Sequence, residues 1–191
     1  MCIRDSLEAI HNVRQVVGDQ TKLMVDFNQS LTLDEALNRC HKLDDFNLTW
    51  IEEPLIYDNF EGYSRLTKDI KTPIQLGENF YGPRELYKAL QIGASDLVMP
   101  DFMRIGGVSG WLRSAAIAEA AGIPISTHLY PEVGAHVMRV SQSAHWLEWL
   151  DWADEILKEP FAKENGFIKI PNKPGLGIEW DEAAISKNAY S

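Results

Sequence analysis

Six short apolar runs alternate with amphipathic stretches along this chain, and each run ends at or within two residues of an ionisable residue. That alternation constrains the fold more than any other feature, because it is the pattern of βα units feeding a parallel sheet. The predicted strands are 22–27, 48–52, 73–77, 96–99, 123–127 and 144–147, several of them near-continuously apolar, as strands buried on both faces are. The predicted helices between them are 33–43, 61–69, 83–91, 108–121 and 132–140. Thr32-Leu33-Asp34-Glu35 announces the first with a capping-box pattern, and Pro83 stands where a first helical turn accepts proline. Gly93 and Gly122 are placed to close two helices. Right-handed crossovers could build either an open doubly wound sheet or part of a barrel. The open sheet would favour a glycine-rich phosphate loop after its first strand, and none is present.

At 191 residues the chain can bury a real core, but a complete (β/α)8 barrel typically takes about 250. The opening Met1–Ser6 lacks the apolar core of a signal peptide and runs almost at once into a helical pattern, Leu7, Ile10, Val13 and Val17. This start does not read as a natural domain beginning. The pattern changes after Leu150, where Asn165-Gly166-Phe167-Ile168-Lys169-Ile170-Pro171 reads as a hairpin followed by a Pro/Gly-rich tail. Residues 1–150 are therefore expected to form a partial barrel catalytic domain, and residues 151–191 a hairpin and tail packing back on it.

Lys and Arg number 18 against 28 Asp and Glu, a formal charge of −10, and no basic run stands out, which argues against a nucleic-acid partner. No run of 18 or more apolar residues is present, so no membrane span is expected. Cys2 and Cys40 lack metal-ligand or redox spacing, which suits a reducing, cytoplasmic compartment.

The chemistry lies at the strand ends. Asp26 closes the first run, Glu52 the second and Glu78 the third, each 26 positions after the one before. Three carboxylates at one height on adjacent parallel strands converge at the carboxyl-end face, where barrel active sites lie. Like charges there repel unless a cation neutralises them, and an all-oxygen set favours Mg2+. Any one of the three alone reads better as a helix cap; all three in register do not. Glu53, sent the other way by strand alternation and followed by Pro54, is read as structural or as a support standing behind the ligands. The series continues with Asp101, His128 and Glu148 at the next three strand ends. A carboxylate beside an imidazole forms an orienting pair, with Asp101 fixing the tautomer of His128 and raising its basicity. His11, His41, His136 and His145 fall in helices or off the series and are read as ordinary histidines. An amidohydrolase His-x-His and a Gly-x-Ser-x-Gly elbow are both absent. Gly175-Leu176-Gly177 reads as a turn, and Gly106-Gly107 is explained equally by a helix start.

Met24-Val25-Asp26-Phe27-Asn28-Gln29-Ser30, Trp50-Ile51-Glu52-Glu53-Pro54, Gly77-Glu78-Asn79, Met99-Pro100-Asp101 with Gly106-Gly107-Val108, and His145-Trp146-Leu147-Glu148 together resemble the mandelate racemase subgroup of the enolase superfamily. The likeness runs over nearly the whole chain from about residue 9. It implies Asp26, Glu52 and Glu78 as Mg2+ ligands, a His128–Asp101 dyad as general base, and Glu148 as an acid facing the substrate carboxylate. Asn28 resembles the residue that contacts the substrate's α-hydroxyl. Arg104 stands where the subgroup's namesake has lysine, which argues against an identical substrate. The fold implied is an α/β (β/α) barrel of the enolase-superfamily type, incomplete, with about strands 3–8 plus the C-terminal tail.

The implied reaction is abstraction of the α-proton of a 2-hydroxy or sugar-acid carboxylate through an ene-diolate, as a racemase or a dehydratase. Racemisation needs bases on both faces, and the subgroup's Lys-x-Lys, which supplies the second, has no match before Asp26. The two outcomes therefore stay open, beside the alternative of an inactive metal-binding or oligomerising remnant. A small-molecule carboxylate is the expected partner, and the full-length parent is expected to be a homo-oligomer. The isolated chain is expected to leave its first strand as an open edge that dimerises or limits solubility.

Overall fold

The computed structural model describes residues 3–189, with side chains from residue 7 onward; Cys2 lies outside the described residues. Helix α1 spans Ile3–Val17, and the chain then runs β1 (Met24–Asp26), α2 (Leu33–Leu43), β2 (Trp50–Glu52), α3 (Phe60–Asp69), β3 (Ile74–Leu76), α4 (Pro83–Gln91) and β4 (Leu97–Val98). A short α5 (Phe102–Ile105), α6 (Gly107–Ala120) and α7 (Pro131–Met138) follow. The strands form one parallel sheet in sequential order, with Asp26 opposite Glu52 and Glu52 opposite Gln75. Among the described residues β1 has a strand neighbour on one side only.

Two predicted strands contract to isolated bridges. Residues 123–127 touch β4 at Ile125, and residues 144–147 touch that segment at Ala144. Pro124 has no N–H to give, which limits the ladder where 123–127 begins. These six positions still curl. Trp50 on β2 packs against His145 at 6.1 Å and Trp146 at 6.3 Å between ring centroids, across the interior to the sixth position. An open sheet would hold those positions far apart, so the architecture is an incomplete (β/α) barrel.

Local chemistry sets the helix ends. Thr32 and Glu35 cap α2 reciprocally, and Asn59 Oδ1 accepts from Gly62 N at 3.1 Å to start α3. Helix α1 enters the core mainly through Ile10 and leaves Val13, Val16 and Val17 exposed. Arg14 ties it to the carbonyls of Phe46 and Asn47 at 3.2 and 3.1 Å. Ile51, Ile74, Leu76, Val98 and Ile125 are fully buried, so the interiors of β2, β3 and β4 are covered on both faces, whereas β1 at the open edge is only half-buried. Trp111 of α6 stacks on Phe102 at 5.8 Å. Gly110 lets α6 approach α5, since a Cβ there would lie 2.0 Å from Ile105 O.

The tail forms the hairpin β5 (Ala162–Glu164) and β6 (Phe167–Lys169) through Asn165 and Gly166, both at positive φ. It then leads to α8 (Glu182–Asn188). Phe161 contacts the rings of His136 and Trp149, and His136 Nε2 pairs with Leu176 O at 3.0 Å, joining the tail to α7. No helix among the described residues is long and apolar enough to cross a membrane.

Candidate active site

All six strand-end residues lie at the carboxyl ends of the sheet positions. Backbone geometry past each strand aims them. Gly77 turns the chain after β3 at φ +138°, where an added Cβ would stand 3.1 Å from Met99 N, and Glu78 follows it. Asn28 and Gln29 take positive φ after Asp26, as do Leu129 and Tyr130 after His128. Such conformations are costly for non-glycine residues and cluster at functional sites.

Asp101 and His128 face each other across a parallel bridge, and His128 Nδ1 lies 2.8 Å from Asp101 Oδ2. Asp101 Oδ1 meanwhile accepts from Met103 N at 2.8 Å and Arg104 N at 3.3 Å, capping α5. The other imidazole nitrogen, Nε2, is 3.1 Å from Glu78 Oε2. Burial alone would push the imidazole pKa down, but its hydrogen bonds to Glu78 and Asp101 outweigh that and hold it up at about 9. The same bond from His128 holds the Glu78 carboxyl below its ordinary range, against its burial.

Glu52 Oε2 accepts from Trp50 Nε1 at 2.9 Å and from Gln75 Nε2 at 3.4 Å. Burial raises its pKa to about 7; the Trp50 bond opposes this, and the charges of Asp26 and Glu78 add to it. Asp26 Oδ1 accepts from Asn28 N at 2.7 Å. Glu148 Oε2 accepts from Leu129 N at 2.5 Å, tying the sixth strand end to the residue after His128. Arg104 is engaged with Glu78, its Nη1 3.1 Å from the carbonyl and 3.6 Å from Oε1.

Asp26 and Glu52 thus sit on one rung, with Glu78 near enough for its charge to act on Glu52. The three carboxylates are nonetheless occupied by other partners. Among the described residues no group of three His, Cys, Asp or Glu side chains is gathered into a cation cage. The donor chemistry still fits a hard divalent cation. The three carboxylates are hard oxygen donors on adjacent strand ends, and their mutual repulsion, which adds to the burial that raises Glu52, is what such an ion relieves.

Three residues at the site were left out of the series read from the sequence. Glu53 was expected to point away, yet at φ +34° it is buried and accepts from Asn79 Nδ2 at 2.8 Å, beside Glu78. Asn79 itself was overlooked. Gln75 is fully buried and lines a cavity of about 200 Å³ with Trp50, Glu52, Met99, Trp146 and Glu148. The signal for Gln75 was a polar residue inside the apolar run Ile74-Gln75-Leu76.

The chain spans about half the length of the curated relatives it matches. It is 34% identical to the L-talarate/galactarate dehydratase of Salmonella typhimurium over 183 residues, 96% of this chain and 46% of that protein. Other curated relatives bear the names of acid-sugar dehydratases and cycloisomerases. A crystal structure of an enolase from alpha proteobacterium bal199 with bound Mg superposes with a TM-score of 0.94 at 60% identity, over 98% of this chain and 52% of that one. An enolase from Bradyrhizobium complexed with magnesium and mandelic acid does so at 0.93 and 43% identity, over 98% and 52%. The model of the enolase C-terminal domain-like family matches residues 2–184. With the barrel curvature and the strand-end series, that match establishes that the chain belongs to the enolase C-terminal domain-like family.

Proposed function

We propose that this chain is the catalytic part of an enzyme that removes the proton α to the carboxylate of a 2-hydroxy or sugar-derived acid. The observation that carries the reading is the contact of His128 with both Asp101 and Glu78, which joins a candidate base to a candidate cation ligand. Asp26, Glu52 and Glu78 would hold Mg2+, exchanging their present partners for it. When bound, the ion supplies positive charge to the substrate carboxylate and acidifies the α-proton.

The chain's own residues do the rest. Asp101 holds Nδ1 of His128 and fixes the tautomer that leaves Nε2 to take the proton. Nε2 becomes available once Glu78 turns to the cation. Glu148 lines the cavity beside Glu52 and, when protonated, donates to the oxygen on which charge develops. Asn28 would meet the α-hydroxyl, and Arg104 the substrate's anionic end. Residues 1–150 act as the barrel part and 151–191 as a tail packed on it. A cytoplasmic, homo-oligomeric parent with no nucleic-acid or membrane partner completes the reading.

Supporting this are the strand-end series and the names of the relatives, both racemases and dehydratases being compatible with a base on the His128 face. The test is a screen of acid sugars and aromatic 2-hydroxy acids against the full-length protein with and without Mg2+. Mg2+-dependent loss of water, or inversion at the α-carbon, is expected for at least one acid. Neither reaction across the panel, with the protein folded, would favour the inactive remnant.

A further inference from the structure

We infer that Asn79 is a positioning residue that aims the Glu78 carboxylate at the cation site, with buried Glu53 as its anchor. The inference rests on the proposed reading of Glu78 as a ligand.

A primary amide nitrogen has two hydrogens to donate. Asn79 Nδ2 donates to Glu53 Oε2 at 2.8 Å and to Glu78 Oε1 at 3.1 Å, so one side chain spans two carboxylates. The shared donor holds the two carboxyl groups side by side. Glu53 is 1% exposed, and its Oε1 is buried with no hydrogen-bond partner. A carboxylate kept there at that desolvation cost is poorly explained by packing alone. The backbone is bent to deliver it, with Glu53 at φ +34° and Gly77 at φ +138° on either side of the contact.

Glu78 has two other holders, His128 on Oε2 and Arg104 on Oε1. Both carry positive charge when protonated and so compete with a cation for the carboxylate. Asn79 is neutral. It fixes the direction of Glu78 while leaving its charge available, as outer hydrogen bonds do for carboxylate ligands.

Calorimetric titration of Mg2+ into the full chain tests this, with circular dichroism confirming the fold of each variant. Asn79→Ala and Glu53→Ala should each weaken binding roughly 10- to 100-fold. The double variant should bind no more weakly than the poorer single one, because both break one linkage. Glu53→Gln keeps an oxygen to accept from Asn79 and should stay within about threefold of wild type. This nearly isosteric variant keeps the test alive should Asn79→Ala not fold. A tenfold loss in Glu53→Gln, or unchanged affinity in folded Asn79→Ala, would overturn the inference and leave the cation site standing. No Mg2+ binding by wild type would remove the proposed site and this inference together.

Discussion

Nδ1 of His128 and Oδ2 of Asp101 lie 2.8 Å apart across a parallel bridge between two strand ends, so backbone pairing itself sets the dyad's geometry. Asp101→Asn separates the carboxylate's two tasks. The amide oxygen can still accept from Met103 N and cap α5, but the amide nitrogen would face Nδ1 as a donor and disfavour the working tautomer. We expect kcat to fall about 10²- to 10⁴-fold with little change in KM or thermal midpoint, measured by steady-state kinetics and calorimetry. A normal kcat would mean that the imidazole needs no partner.

Cation binding should stabilise the fold. At a free Mg2+ concentration of about 100 Kd the gain is about 2.7 kcal/mol for one site. Thermal unfolding in Mg2+ against chelator should show an upward shift in the wild type and a much smaller one in Glu52→Gln. Equal shifts in both proteins would place the ion elsewhere.

Cys40 offers a pH test away from the site. Buried in α2, its thiol is pushed up to about 12, first by burial and then by the Asp44 charge. An unfolded thiol titrates near pH 8.5. Above that value the unfolded chain loses a proton that the native state keeps, so this group's contribution, complete below about pH 8.5, is lost as pH rises towards 12. Alkylation of Cys40 at pH 8 should accordingly be slow in native protein and fast in urea. Rapid alkylation of the folded chain would contradict the burial.

Gly110→Ala should cost more than the small gain a helical alanine normally brings. Its Cβ would fall 2.0 Å from Ile105 O, a backbone atom with little freedom to retreat. A drop of roughly 1–3 kcal/mol is expected from denaturant midpoints. Unchanged stability would show that α5 and α6 separate freely.

The legible parts of the fold were those set by short-range chemistry. Thr32 with Glu35 and Pro83 marked the starts of α2 and α4, and the bounds 33–43 and 83–91 agree with the structure. The runs 123–127 and 144–147 looked as strong as the others, yet pair only through isolated bridges at Ile125 and Ala144, because ladder length depends on neighbours as well as on apolar content. At the site, strand register explains why Asp26 and Glu52 share a rung and why Asp101 meets His128. Side-chain partners were not readable. Nothing in the spacing showed that Glu78 would pair with His128 and Arg104, or that a positive φ at Glu53 would turn it towards Asn79.

The central claim is that His128 removes the α-proton, and solvent deuterium incorporation at the substrate's α-carbon tests it most directly. In the full-length protein with Mg2+, His128→Asn should lose exchange for the configuration whose proton faces His128. Substrate and metal binding should be retained, because the carboxylates remain. Unchanged exchange from a folded His128→Asn variant would contradict the account.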